Sequence, residues 1–184
     1  MPSATDEALA AGLIGGDARA FDQLVRRWRD RVVDLAALLL NDRHLAEDVG
    51  QEVFVRLYNK PAAYDPSRPF AAWILTVTRN LCFDSRRRER TRSKYHRRAV
   101  EDRRFGPNPA ERPPESAATA EAEARLRQAI AALPEPFREA YVLCAVRGFS
   151  YEEAANVSGC GVKTISTRLA RARKRLVERM SRWL

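Results

Sequence analysis

The side chains best suited to chemistry in this sequence are arginines and lysines gathered in two short stretches. Residues 86–98 read RRRERTRSKYHRR and residues 163–182 read KTISTRLARARKRLVERMSR, each with eight basic residues and one acidic residue. The rest of the chain holds 17 basic and 22 acidic residues and is therefore acidic. Cations concentrated in this way bind polyanions, although solvated arginine-rich helix faces are the structural alternative. The distribution predicts two contacts with a polyanion and at least one acidic surface with a different role.

Side chains that carry catalysis or bind metals are not arranged for either task. Cys82, Cys144 and Cys160 lack a C-x-x-C spacing, and His44 and His96 are far from them in the sequence. The sequence contains no P-loop, no paired carboxylates and no nucleophile beside a base. We therefore expect no catalytic site, no metal and no cofactor, with the cysteines acting as buried, inert core residues.

Length and composition define the class of protein. The 184 residues, 45% hydrophobic and 31% charged, suit one ordinary domain or two small ones. Three cysteines are too few for a disulfide scaffold, and the longest apolar run, residues 35–40, is far shorter than the roughly 18 residues of a membrane span. The first 20 residues show no secretion signal. We expect a soluble cytoplasmic chain with no membrane insertion of its own.

The elements that must position the basic residues are helices, because helical periodicity dominates and strand patterns are nearly absent. Apolar residues recur at three- and four-residue steps from Phe21, with Asp17 as a candidate N-cap. Further helices are expected at residues 45–58 and from residue 70, separated by a proline-containing loop.

A proline-rich segment divides the chain. Residues 105–120 hold four prolines among small polar residues, a composition typical of a linker. We expect an all-α fold with one helical domain at 8–92, a flexible linker at 93–120 and a second helical domain at 121–184.

A helix-turn-helix pattern lies in the second domain. Residues 150–153, SYEE, form a capping box in which Ser150 and Glu153 bond each other's backbone amides. Gly159 can adopt the left-handed conformation that ends a helix, and a basic helix opens near Val162. A short helix, a glycine turn and a basic helix together predict DNA binding.

A helical wheel separates the second helix of this pattern into two faces. Val162, Ile165, Leu169, Ala172 and Leu176 fall on one side and are expected to be buried. Small and basic side chains on the other side suit a major groove, where arginine bonds guanine with two hydrogen bonds. The expected DNA contacts are Lys163, Ser166, Thr167, Arg168, Ala170, Arg171, Arg173, Lys174 and Arg175.

Three blocks of this sequence resemble bacterial sigma factors of the extracytoplasmic-function (ECF) group of the sigma-70 family. LPEPFREAYVLCAVRGFSYEEAANVSGCGVKTISTRLARARKRL resembles their promoter-reading domain. AEDVGQEVFVRLY, residues 46–58, resembles the helix that binds core polymerase, with Gly50 as a departure from the pattern. FAAWILTVTRNLCFDSRRR, residues 70–88, resembles the promoter-melting helix. The resemblance implies a factor that binds core RNA polymerase, reads −35 and −10 promoter elements and melts the −10 region.

One face of the helix at 45–58 is expected to bind the polymerase. Asp48, Gln51, Glu52 and Val55 lie opposite the apolar residues of this helix. An acidic surface with an exposed valine is typical of a protein interface. The resemblance implies that its partner is the β′ clamp, and that core polymerase is also contacted through its β subunit.

The loop before residue 70 and the helix after it are expected to hold single-stranded DNA, which requires a stacking platform and positive charge. By resemblance they open the −10 element and hold the non-template strand. Trp73 is expected in the core rather than as a melting wedge. The expected contacts are Tyr64, Arg68, Thr76, Arg79, Asn80, Arg86 and Arg87.

The resemblance also implies a regulator, an anti-sigma factor that covers both domains until a signal releases them. The linker is expected to be disordered alone and to thread polymerase channels, where its acidic half mimics nucleic-acid charge. Two alternatives remain open. A helix-turn-helix regulator acting without polymerase leaves the acidic helix face unexplained, and a small nucleic-acid-processing enzyme would need clustered carboxylates or a His/Cys site.

Overall fold

A computed structural model describes residues 4–95 and 117–181, except for the side chains of 90–95 and 117–120. Every element within these residues is helical, so the all-α prediction is confirmed for the part described. The elements fall into two compact units. The first contains α1 (Asp6–Ile14), α2 (Ala18–Leu40), α3 (Arg43–Asn59), a 3₁₀ turn (Pro61–Ala63) and α4 (Phe70–Tyr95). The second contains α5 (Ala117–Ala131), α6 (Glu135–Tyr141), a π-helical turn (Val142–Val146), α7 (Tyr151–Ser158) and α8 (Val162–Met180).

The predicted linker, residues 93–120, overlaps helices at both ends. Helix α4 continues to Tyr95 and α5 begins at Ala117. Its central part, 96–116, lies outside the described residues, and so do the predictions of disorder and channel threading. None of the described helices combines the length and apolarity needed to cross a membrane.

Polar side chains mark the helix boundaries of the first unit. The Asp17 carboxylate accepts a hydrogen bond from the Arg19 amide at 2.9 Å and starts α2, as the sequence predicted. Asn41 ends α2 in the left-handed conformation, with φ of 58°, and the Asp42 carboxylate accepts from the Leu45 amide at 3.0 Å. Because so few residues separate α2 from α3, the two helices fold back on each other and form the largest contact in the unit.

The core of the first unit lies among α2, α3 and α4. Leu24 and Leu35 of α2, Val53 of α3, and Phe70 and Ile74 of α4 are completely buried. Burying a side chain of this size stabilises the fold by about 1.5–3 kcal/mol relative to leaving it exposed. The same packing turns the opposite side of α3 and part of α4 toward solvent.

Gly50 lies where α3 comes closest to α2. A Cβ at this position would lie 2.7 Å from Cγ2 of Val33, a buried and β-branched side chain with little rotamer freedom. We expect Gly50→Ala to lower the free energy of unfolding by about 1–2 kcal/mol, because overpacking outweighs the gain in helix propensity. Urea unfolding followed by circular dichroism measures this change.

Gly12 on α1 supplies a matched control for Gly50. A Cβ there would meet Ala20 Cβ at 3.5 Å, an ordinary contact, so Gly12→Ala should leave stability unchanged or raise it. A Gly50→Ala variant as stable as Gly12→Ala would contradict the close approach of α2 and α3.

The helix-turn-helix of the second unit follows the sequence prediction closely. The Ser150 amide donates to Glu153 Oε2 at 2.8 Å, and the Glu153 amide donates to Ser150 Oγ at 3.1 Å. Gly159 ends α7 with φ of 62°, and α8 begins at Val162. Ile165, Leu169, Ala172 and Leu176 are buried as expected. The expectation for Val162 is wrong: it is 40% exposed, because the first residue of α8 lies at the end of the packed face.

Candidate functional site

The outer face of α3 is an acidic strip with apolar residues at one end. Asp48, Gln51, Glu52 and Val55 are all exposed, and Glu52 accepts a hydrogen bond from Arg56 Nε at 2.9 Å. Half of the Val55 surface is exposed. The apolar side chains on the opposite side of α3 are all buried, namely Ala46, Val49, Val53, Phe54 and Leu57.

Tyr58 extends this strip by one turn, and the sequence analysis did not include it among the residues of this face. The residue is 58% exposed, and its ring meets the Phe21 ring edge-on, with 5.1 Å between centroids. The spacing of three residues from Val55 was the available signal, since it places an aromatic side chain on the polar face. The strip therefore combines two carboxylates with two exposed apolar groups.

Tyr64 is not a stacking platform, which corrects the expectation from sequence. Only 2% of its surface is exposed, and its ring packs edge-on against Phe70 at 5.4 Å and Trp73 at 5.7 Å. The Tyr64 hydroxyl donates to the Arg68 carbonyl at 2.7 Å. Burial, together with the nearby Glu7 and Asp65 carboxylates, raises the pKa of Tyr64. Tyr64 thus holds the loop in shape from inside and has no ring face open to a base.

The loop between the 3₁₀ turn and α4 exposes the charged groups instead. Arg68 has 77% of its side chain exposed and lies 3.6 Å from the Asp65 carboxylate. Hydrogen bonding from Ser67 lowers the pKa of Asp65. The Trp73 ring is half-buried rather than fully in the core, and its Nε1 donates to the Ala63 carbonyl at 3.2 Å.

On α4 the remaining expected contacts lie at or near the surface. The Arg79 guanidinium stacks over the Phe83 ring at 4.2 Å and donates to Asn80 Oδ1 at 3.0 Å. Asn80 is exposed, whereas the Thr76 hydroxyl is half-buried and donates to the Ala72 carbonyl at 2.7 Å. Further along, Arg86 is half-buried and Arg87 exposed. The structure therefore brings Arg79 and Asn80 together, whereas the Thr76 hydroxyl already donates its proton to a carbonyl of its own helix.

The basic side of α8 is exposed almost as the wheel predicted. Arg168 is the half-buried member, with Nη1 3.8 Å from Cys160 Sγ, and the Arg175 guanidinium lies 5.3 Å from the Phe137 ring centroid. The exposed members are Lys163, Ser166, Thr167, Ala170, Arg171, Arg173, Lys174 and Arg175.

A groove of about 430 Å³ runs beside this face, between the start of α6 and α8. Pro136 and Phe137 form its apolar wall, opposite Lys163, Thr167 and Arg171. Phe137 lies beside the basic face, a position that the sequence pattern does not indicate. The groove makes α6 the neighbour of any ligand that covers α8.

The cysteines differ in burial. Cys82 is buried as expected, and burial raises the pKa of its thiol to about 12. Cys144 and Cys160 are only half-buried, which corrects the expectation for both: one lies in the π-helical turn and the other in the turn before α8. Within residues 4–95 and 117–181, no three His, Cys, Asp or Glu side chains are grouped as metal ligands.

Comparison with known proteins assigns both units to families of sigma-70 regions. Residues 24–92 match the family model for Sigma-70 region 2, and residues 123–176 match Sigma-70, region 4. The RNA polymerase sigma factor CnrH of Cupriavidus metallidurans is 34% identical over 179 residues, 95% of this chain and 94% of that protein. ECF RNA polymerase sigma factor SigE of Mycolicibacterium smegmatis is 37% identical over 85% of this chain, which spans 60% of that protein. The chain belongs to the ECF sigma factors.

This ECF sigma factor matches the models of two sigma-70 regions. Region 2 takes in most of α2, all of α3 and α4 as far as residue 92, whereas region 4 covers the helix-turn-helix. The fold is similar to that of the sigma factor RpoE in complex with the anti-sigma factor NepR from Bartonella quintana. The TM-score is 0.71 at 27% identity, covering 89% of this chain and 98% of that one. A helix-turn-helix regulator that acts without polymerase does not account for the region 2 match.

Proposed function

We propose that the chain brings core RNA polymerase to promoters by dividing the work between its two units. The first unit binds polymerase and the −10 strand, the second reads the −35 element, and the chemistry of RNA synthesis stays with the polymerase. The observation that carries this proposal is the presence on one chain of an acidic, partly apolar α3 face and a basic α8 face. Such a factor would act in the cytoplasm, where core polymerase and promoters are.

The α3 strip is the proposed polymerase contact. Exposed Val55 and Tyr58 supply apolar area, and the carboxylates of Asp48 and Glu52 supply a charged rim. Protein interfaces combine an apolar centre with a polar rim in this way. Because the strip is acidic, its partner surface should be basic. Membership of the family implies that this partner is the β′ clamp of the polymerase, with a further contact to the β subunit.

The exposed groups of the loop and α4 are the proposed −10 contacts. Arg68 and Arg79 would follow the phosphates, and Asn80, which offers both a donor and an acceptor, would meet a base edge. Arg86 and Arg87 extend the positive charge along α4, and Thr76 contributes its acceptor lone pairs. With Tyr64 buried, the strand would be held by the exposed loop backbone and these side chains.

The basic face of α8 is the proposed −35 contact. The small side chains of Ser166 and Ala170 allow close approach to base edges, and Arg171 reaches the same groove. The surrounding Lys163, Arg173 and Lys174 contact phosphates, which fixes the register of the helix on the duplex.

Permanganate footprinting tests the proposed melting step. Core polymerase together with the chain should make thymines of a cognate −10 element reactive, because permanganate attacks unpaired thymines. Neither component alone should do so. Protection of the −35 element by the complete mixture, without reactive thymines, would contradict the proposed −10 role.

A separate anti-sigma factor is the proposed regulator of this chain, since an unregulated factor would compete continuously for polymerase. It would cover the α3 strip and the α8 face together, as two exposed surfaces with opposite charge. Pull-down from unstressed cells should recover the chain with a further protein that suppresses transcription. Recovery of only free or polymerase-bound chain, fully active before stress, would contradict the proposal.

A further inference from the structure

Helix α1 precedes the residues that match Sigma-70 region 2, and an acidic side chain anchors it to α2. The Asp6 carboxylate lies 2.9 Å from Arg27 Nη1 and accepts a hydrogen bond from Trp28 Nε1 at 3.0 Å. Leu9, Ala10 and Leu13 are buried beneath the helix. Three buried side chains and two polar contacts hold α1 in a fixed position on α2.

The next side chain, Glu7, reaches a different element. Its Oε1 accepts a hydrogen bond from the backbone amide of Phe70 at 3.1 Å, across 63 positions of sequence. Phe70 is the first residue of α4, where the amides have no partner within the helix. A carboxylate at this position satisfies one of these amides and complements the positive end of the helix dipole. The N-terminus of α4 is thus capped from α1.

The capped residue is also the anchor of the loop that precedes it. The Phe70 ring is completely buried and packs against Trp28 at 5.8 Å and Tyr64 at 5.4 Å. The Tyr64 hydroxyl in turn holds the Arg68 carbonyl. The backbone between Tyr64 and Phe70 is therefore fixed at both ends, at one end by the aromatic cluster and at the other by the Glu7 carboxylate.

We infer that Glu7 is a positioning residue for capture of the −10 strand, acting through the Phe70 amide on the loop that exposes Arg68. The inference rests on the proposed −10 function. Without the carboxylate, the start of α4 loses a hydrogen bond and the loop spends less time in its binding conformation. Affinity for single-stranded −10 DNA should fall, whereas binding of core polymerase and of −35 duplex should not change.

The experiment uses the full chain assembled with core polymerase. The probes are a fluorescent oligonucleotide carrying the non-template −10 strand of a promoter mapped for this protein, and a −35 duplex. Glu7→Ala should weaken binding of the strand measurably and by no more than about tenfold, which is the full free energy of one lost cap. Glu7→Gln keeps an oxygen acceptor and should recover most of the affinity.

Asp17→Ala is the matched control, because it removes a cap of the same kind from α2 and leaves the loop untouched. It should bind both probes as the wild type does. Hydrogen exchange provides a second readout: residues 64–72 should exchange faster in Glu7→Ala and at the wild-type rate in Asp17→Ala.

The outcomes separate the inference from the function on which it rests. Failure of the wild type to bind the strand would overturn the −10 assignment and the inference with it. Wild-type binding with an unaffected Glu7→Ala variant would overturn the inference alone. Equal losses in Glu7→Ala and Asp17→Ala would also overturn it, because they would indicate general destabilisation.

Discussion

Charge reversal at Asp48 and Glu52 is expected to abolish binding of core polymerase. The Asp48→Arg/Glu52→Arg variant replaces two carboxylates of the α3 strip with cations. The proposed partner surface is basic, so its attraction to the strip becomes repulsion. The cost to the fold is small, since both side chains are exposed and only the Glu52–Arg56 pair is lost. Exposed pairs of this kind contribute about 0.3–0.5 kcal/mol. Co-elution with core polymerase on a sizing column measures the effect.

The Asp22→Arg/Asp30→Arg variant is the control for this experiment. It makes the same change of charge on exposed positions of α2 and should co-elute with polymerase as the wild type does. Circular dichroism verifies that both variants keep their helices. Unchanged co-elution of the Asp48→Arg/Glu52→Arg variant would remove α3 from the polymerase interface.

The second large effect is expected at α8, where Arg171 and Lys174 should behave differently. Arg171→Ala removes the proposed bidentate base contact and should cost about 1–3 kcal/mol on the cognate −35 element, with relaxed preference at one base pair. Lys174→Ala removes the proposed phosphate contact and should weaken all duplexes alike. Both side chains are exposed, so neither change should disturb the core.

Binding of each variant to a set of −35 duplexes, each with one altered base pair, separates the two roles. The slope of log affinity against log salt concentration should become shallower by about one in Lys174→Ala, because one phosphate contact is lost. If Arg171→Ala weakened every duplex by the same factor, direct base readout by this residue would be wrong.

The parts of the fold that sequence predicted are those governed by neighbouring residues. The capping box at Ser150 and Glu153, the glycine that ends α7 and the Asp17 cap all depend on contacts within a few positions. The exposed face of α3 followed from helical spacing alone. Local chemistry of this kind can be read without knowledge of the tertiary fold.

The parts that sequence missed depend on packing between distant elements. Tyr64 has an aromatic side chain of the kind that stacks on bases, yet contacts with Phe70 and Trp73 bury it. The Glu7–Phe70 hydrogen bond joins residues that no spacing rule connects. The half-burial of Cys144 and Cys160 likewise follows from their turns, whose geometry the apolar pattern does not encode.

Run-off transcription with purified core polymerase tests the central claim most directly. Core polymerase and the wild-type chain together should give a transcript of defined length from a cognate promoter. Core polymerase alone should give none, and altering either the −35 or the −10 element should abolish it. A chain that binds −35 DNA yet leaves the products of core polymerase unchanged would contradict the account.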